Sequence, residues 1–237
     1  MRKQSIAVLI SIALCLSVSS IIQSEASFAS RDWAKGKFYA LGDTGPGGGL
    51  IFFIDEDGFK CKKDSNKRNL CNYLEVAPYG WNLGGVDPFK TWSTANYQFE
   101  SVPGLKEEDL PNNIAIGLGF KNSNYILRQG NDSTTAAGIA REYGGGGLRD
   151  WYLPDLAELN ALCQWNHGIR QTTLRQCIGG TLNSPKYGAD TSGFASIYYW
   201  SSSVYDKENA WVQFFGPGLQ ANGGKFNPWF VRPIRAF

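Results

Sequence analysis

An α+β fold is predicted, with two helices packed on short, mostly antiparallel strands in a loop-rich, disulfide-stapled chain. Three observations lead there. Strand-like segments lie before residue 80 and after residue 190, and two helical segments fall between them instead of alternating with strands. The last forty residues are apolar and aromatic, running Tyr198-Tyr-Trp-Ser-Ser-Ser203, Asn209-Ala-Trp-Val-Gln-Phe-Phe215 and Val231-Arg-Pro-Ile-Arg-Ala-Phe237, so the chain should end inside the fold. Beyond the N-terminal segment the cysteines number four, Cys61, Cys71, Cys163 and Cys177, an even set of the kind that forms disulfides in an exported protein.

Residues 1–29 read as an export signal. Arg2 and Lys3 form a positive start, Ile6 to Ile22 is apolar, and Ser24-Glu25-Ala26 and Ser27-Phe28-Ala29 are small-x-Ala cleavage sites. The competing reading is an uncleaved signal anchor, the one route by which this chain would be held in a membrane; at about 17 residues the apolar run is at the short limit for a span. Cys15 is no lipoprotein cysteine, because Leu14 precedes it and the apolar run continues past it. The remainder, from residue 31 to 237, shows no repeat and no long linker and reads as a single domain.

Within it, Phe38 to Asp43 is expected as a strand, Thr44-Gly-Pro-Gly-Gly-Gly49 as a turn, Leu50 to Ile54 as a buried strand, and Asp55-Glu-Asp-Gly58 as the turn of a hairpin. Asn72 to Ala77 alternates as a further strand. Thr134 to Tyr143 carries Ala136, Ile139, Ala140 and Tyr143 at helical spacing, with Asp132 or Ser133 as cap and Gly144 to Gly147 as its end. Asn122 to Arg128 adds one helical turn. The second helix opens on Asp155-Leu-Ala-Glu158, the spacing of a capping box. Gly193 to Ser201, Ala210 to Phe215 and Trp229 to Ile234 are the late strands. Pro233 cannot donate to a ladder and puts the last one at an edge or a bulge. Arg232, in so apolar a strand, requires a carboxylate or carbonyl partner.

The charge balance narrows the function. The chain has 23 basic and 21 acidic residues. Removing residues 1–29 takes away Arg2, Lys3 and Glu25 and leaves 21 basic and 20 acidic side chains, too even for a general nucleic-acid binder. The local pairs Cys61–Cys71 and Cys163–Cys177 are expected, because each closes a short polar loop. With no Cys-x-x-Cys and a single histidine, a zinc site is not supported.

The C-terminal strings, together with Asp150-Trp-Tyr-Leu-Pro-Asp155 and Gly42-Asp-Thr-Gly-Pro-Gly-Gly-Gly49, resemble the Lcl C-terminal-domain family of exported bacterial modules. That resemblance implies a distantly C-type-lectin-like fold and a secreted or cell-envelope address, and it implies no ligand. The Glu-Pro-Asn, Gln-Pro-Asp and Trp-Asn-Asp motifs of calcium-dependent sugar-binding lectins are absent, Trp165-Asn-His167 being the only similar string. The same superfamily includes formylglycine-generating, sulfatase-modifying enzymes with copper-binding cysteines. Cys163 and Cys177 are the only conceivable equivalents here, and their surroundings do not match.

Each chemical candidate has a structural competitor. The glycine run at Gly45 to Gly49 lacks the Gly-Lys-Ser/Thr ending and the following helix of a phosphate loop, so it reads as a turn. His167 would have to carry any histidine mechanism, yet nothing marks a nucleophile beside it, and a solvent-facing loop position is expected. Asp150, Asp155 and Glu158 could make a carboxylate pair, but capping already explains Asp155 and Glu158. Asp55-Glu-Asp57, and Asp206 with Glu208, lie in turns and keep calcium open, although neither group alone supplies the six or more oxygens of such a site. Lys60-Cys-Lys-Lys-Asp-Ser-Asn-Lys-Arg68 sets five positive charges and one negative on one loop. It is either a solvated hairpin tip or a contact for anionic polymers. One or two of the eight tryptophans could serve as stacking platforms for sugars. The reading is an exported, non-catalytic binding or adhesion module with no catalytic residue, metal or cofactor. Its partners would be anionic glycans or cell-surface proteins, and its ligand-binding candidates are Lys60, Lys62, Lys63, Lys67 and Arg68, with the turns between Tyr205 and Asn227 as a second face. An exported enzyme of the sulfatase-modifying type and a structural envelope protein are the alternatives.

Overall fold

The computed structural model describes residues 38–61, 70–107, 115–172 and 176–237. Residues Tyr39–Phe237 form one compact unit of α+β architecture. In chain order it contains β1 (Leu50–Lys60), β2 (Leu70–Val76), β3 (Phe89–Lys90), α1 (Gly119–Arg128), α2 (Ala136–Glu142), α3 (Leu156–Asn166), β4 (Tyr198–Val204), β5 (Asn209–Phe214), β6 (Leu219–Gly224), β7 (Trp229–Phe230) and β8 (Ile234–Ala236). Two sheets result: a three-stranded one ordered β1-β2-β8, and a five-stranded one ordered β3-β7-β4-β5-β6. Neighbours are antiparallel except β4 and β7, which meet in parallel at Tyr199 and Phe230.

Three local expectations change. Phe38 to Asp43 is not a strand; Gly42 sits at φ +86°, packed on the Tyr187–Gly188 backbone, and only Thr44 bridges Leu50. Asp55 to Gly58 does not end β1 but bulges it. Ile54 pairs with Tyr73 and Phe59 with Cys71, and the surplus residues are looped by Asp55, whose Oδ1 accepts from the Asp57 and Gly58 amides at 3.0 and 3.1 Å. The hairpin reverses later, between Lys60 and Leu70. The single turn expected over Asn122 to Arg128 is a ten-residue helix, so the described helices number three.

α3 is the pivot. Its capping box forms as the spacing required: the Glu158 amide donates to Asp155 and the Asp155 amide to Glu158, each at 2.8 Å. Every residue of this helix except Ala157 is buried, because it packs against β1, β4 and β5. α2 is capped by Thr135, which accepts from the Gly138 amide at 3.3 Å, while Asp132 and its neighbours build the preceding turn. One apolar cluster joins Phe52, Leu74, Leu159, Leu162, Trp165, Tyr199 and Phe215. A second joins Trp92, Ile126, Ala137, Leu153, Trp200, Val212 and Val231.

The last segment crosses between the sheets. The strand expected over Trp229 to Ile234 splits at Val231-Arg-Pro233, so β7 belongs to the five-stranded sheet and β8 to the three-stranded one. Pro233, which has no amide to donate, marks the crossing, and its carbonyl accepts from the Ala77 amide at 2.9 Å. Phe237 follows inside the structure, its ring stacked on Tyr73 at 5.3 Å and its carbonyl accepting from the Asn72 and Tyr73 amides. Disulfides join Cys61 to Cys71 and Cys163 to Cys177, with Cα separations of 5.8 Å in both. Bridges of this kind mark an extracytoplasmic protein. Among the described residues no helix is long and apolar enough to cross a membrane.

Candidate functional site

The basic hairpin tip begins where β1 ends. Lys60 pairs with Leu70 across the ladder and is exposed; the Cys61–Cys71 bridge follows immediately and pins the two ends of the loop. Lys62, Lys63, Lys67 and Arg68 lie outside the described residues. The architecture thus places exposed Lys60 directly beside the Cys61–Cys71 bridge.

The glycine run is a cradle for the protein's own carboxylate. Glu75 on β2 is fully buried and accepts from the Gly47 amide at 2.9 Å and the Gly49 amide at 2.7 Å. Arg235 on β8 closes the site at 3.0 Å and also grips Asp150 through two bonds of 2.9 and 3.0 Å. Side chains have no room here: a Cβ on Gly47 would lie 2.4 Å from the Trp151 ring, and one on Gly49 would lie 2.0 Å from the Val76 carbonyl oxygen. What resembled a phosphate loop is therefore filled from within. Burial alone would lower the Arg235 pKa, but its bonds to Asp150 and Glu75 outweigh that and raise it.

The carboxylates near α3 are structural as well. Asp155 also accepts from the Leu118 amide at 2.9 Å; Glu158 accepts from the Tyr152 hydroxyl at 2.9 Å and the Gly117 amide at 3.2 Å. These bonds start α1. Burial pushes the Asp155 carboxyl up to about 6; burial and the neighbouring Asp155 charge push Glu158 well above the ordinary range.

His167 is a correction to the solvent-facing expectation. It is only 4 % exposed, at the end of α3, with Nδ1 2.9 Å from the Gly179 carbonyl and Nε2 2.5 Å from that of Phe215. Cys163, His167 and Cys177 bring one ligand-type atom each within 4.8 Å of one another. Both sulfurs are in the disulfide and both ring nitrogens face carbonyls, so this donor set does not fit a metal ion.

Two further cations are buried. Arg232 is 1 % exposed and forms a two-pronged bond to Asp87, Nε to Oδ1 at 2.6 Å and Nη2 to Oδ2 at 2.7 Å. It also donates to the Ala77 and Ser192 carbonyls, while Trp81 and Tyr199 donate to Asp87. The partner required of that arginine is thus Asp87, distant in sequence. Lys225, unremarked in the sequence, donates to the Glu100 and Lys207 carbonyls and lies over the Trp92 ring. Burial lowers its pKa to about 8, against the pull of Asp206, Glu107 and Glu100. It staples the turn after β6 to those at Glu100 and Lys207.

The calcium candidates are engaged in turns, Asp55 as described and Asp206 accepting from the Glu208 and Asn209 amides. The tryptophans are mainly structural: Trp92, Trp151, Trp165 and Trp200 are fully buried and donate to the carbonyls of Ser201, Gly145, Tyr187 and Lys90. Trp81 and Trp229 are partly exposed, and Trp33 lies outside the described residues.

No family model matches the chain, and no curated protein does. Among solved structures it is similar to a fimbrial protein from Bacteroides ovatus ATCC 8483, with a TM-score of 0.44 and 15% sequence identity over 80% of this chain and 44% of that one. The chain thus spans less than half the length of that protein.

Proposed function

We propose that this chain is an exported, non-catalytic binding module that contacts anionic surface glycans through its disulfide-closed basic hairpin tip. The observation that carries the reading is the Cys61–Cys71 bridge set directly beside exposed Lys60. It joins the two residues that flank Lys62, Lys63, Lys67 and Arg68 in the sequence, and such a tie reduces the ordering cost of binding. The bonds of Asp155, Glu158 and His167 are those of a scaffold, and Cys163 and Cys177 are joined and buried, which favours this reading over a sulfatase-modifying enzyme. Export with removal of residues 1–29, a single C-type-lectin-like domain over 31–237, and kinship with the Lcl C-terminal-domain family belong to the same proposal.

Retention on heparin tests it. The wild type should elute at higher salt than the Lys62→Gln, Lys63→Gln, Lys67→Gln triple variant. Its affinity should fall steeply with ionic strength, since the Debye length shrinks from about 10 Å at 0.1 M to about 3 Å at 1 M. Equal retention of the two proteins would leave the cluster a solvated tip and overturn the assignment.

A further inference from the structure

The two sheets have four edge strands, and three of them carry a device that discourages further pairing. β1 is bulged at its charged Asp55-Glu-Asp57 segment. β8 is three buried residues long, and Tyr152 exchanges both backbone bonds with its Ile234, at 2.8 and 3.0 Å. β3 is only two residues long and includes Lys90. β6 has no such device. Leu219-Gln-Ala-Asn-Gly-Gly224 pairs with β5 through six successive residues without a bulge, holds no proline, and has no buried residue. The whole hairpin from Asn209 to Gly224 is uncharged. Among the described residues no strand lies on the far side of β6. The direction of its backbone groups follows from one bond: the Lys225 amide donates to the Glu208 carbonyl at 2.9 Å, one step beyond the Asn209–Gly224 pair. Alternation along the ladder then turns Leu219, Ala221 and Gly223 toward β5, and Gln220, Asn222 and Gly224 outward. The Gly224 carbonyl accepts from the Asn227 amide at 2.8 Å, so Gln220 and Asn222 are the residues that each present a donor and an acceptor along the edge.

We infer that β6 pairs with β6 of a second copy of this chain, antiparallel about a two-fold axis at Ala221, so that the five-stranded sheet continues across both copies. A row of main-chain donors and acceptors is met by another extended backbone, and this edge is complementary to itself, as a two-fold interface must be. In that register Gln220 of each copy exchanges both backbone bonds with Asn222 of the other, which uses every donor and acceptor the two residues offer. Ala221 meets Ala221 across the axis, where a small side chain fits. Leu219, 46 % exposed, falls opposite a glycine, Gly223 of the other copy, on the same face. On the other face the amide side chains of Gln220 and Asn222 lie opposite each other and can bond. An uncharged hairpin meets its own copy without like charges opposed, and it offers a charged foreign strand no counter-charge. The contact is therefore separate from the basic hairpin and insensitive to salt.

The test is sedimentation equilibrium, with every protein carrying the same N-terminus. Salt of about 0.5 M shortens the Debye length to about 4 Å and silences the basic hairpin. The wild type should pass from monomer to dimer as its concentration rises from about 5 to about 500 µM, the range in which an edge contact of about 6–7 kcal/mol is half formed. Asn222→Pro removes an outward donor from each copy and should lose the dimer, with its unfolding midpoint verifying the fold. Should that variant not fold, Asn222→Lys and Asn222→Glu replace it: each alone should dimerise less than the wild type, and mixing them should restore the dimer, because the two side chains lie diagonally across the axis. The register is read by oxidation. Ala221→Cys should give a covalent dimer, since residues opposed in such a pair have Cα atoms about 4.5 Å apart, whereas Asn222→Cys should not, its diagonal spacing exceeding the about 7 Å a disulfide can span. A wild type monomeric throughout the range, a dimer that persists in folded Asn222→Pro, a charge-swapped mixture that stays monomeric, or equal oxidation of the two cysteine variants would each overturn the inference.

Discussion

Replacing Asp87 by asparagine should be among the most damaging single changes in this protein. The Asp87 carboxylate is 5 % exposed and accepts four hydrogen bonds, two from Arg232, one from Tyr199 and one from Trp81. Asparagine keeps one neutral acceptor oxygen and turns an amide toward the guanidinium, so Arg232 remains buried with no counter-charge, held by that oxygen and the Ala77 and Ser192 carbonyls. Removing one partner of a buried ion pair costs about 3–5 kcal/mol, against a typical total stability of about 5–15 kcal/mol. In a unit of this size that corresponds to a fall of roughly 6–20 °C in Tm. Urea unfolding followed by tryptophan emission, with the disulfides intact, measures it. The Arg232→Met and Asp87→Asn double variant should lose less than the sum of the two singles, because the second change removes the stranded charge. A loss under about 1 kcal/mol for Asp87→Asn, with an unchanged denaturant slope, would refute the claim that the buried Arg232 depends on Asp87.

Two other outcomes follow from the buried carboxylates. Asp155 and Glu158 have folded pKa values raised above their ordinary ones, so the native state holds protons that the unfolded chain releases; the stability they contribute is full below about pH 4 and is lost as pH rises through about 6 and beyond. The urea midpoint of the wild type should therefore fall between pH 5 and 8, and Glu158→Gln should flatten that dependence; an identical slope in both proteins would remove the pair as its source. Gly47→Ala should destabilise by about 1–3 kcal/mol, as overpacking does, because its Cβ would meet Trp151 at 2.4 Å; a thermal melt matching the wild type would show that the Glu75 cradle gives way easily.

Local chemistry was readable in the sequence wherever its partners are close along the chain. The Asp155–Glu158 capping box, the two short disulfide loops and the aromatic late strands needed only neighbours at most 14 residues away. Partners far apart were not readable. The start of α1 is hidden in the sequence because the amides just before it, of Leu118 and Gly117, are held by Asp155 and Glu158, 37 and 41 residues on. His167 looked solvent-facing because its two carbonyl partners come from Gly179 and Phe215. Asp55 to Gly58 carries turn residues in both readings, and only the pairing of Phe59 with Cys71 shows that the strand continues past them.

The crossing at Val231-Arg-Pro233 has a consequence for the order of assembly. β8 completes one sheet against β2, and β7 lies inside the other between β3 and β4, so a stretch of eight residues closes both. Until that stretch is available, β2 has an open edge and Asp87 awaits its guanidinium from the far end of the chain. A chain emerging from its N-terminus can therefore form hairpins and helices early but cannot seal either layer. Closure of both layers therefore has to wait for Trp229–Ala236, which makes that stretch the latch of the whole unit.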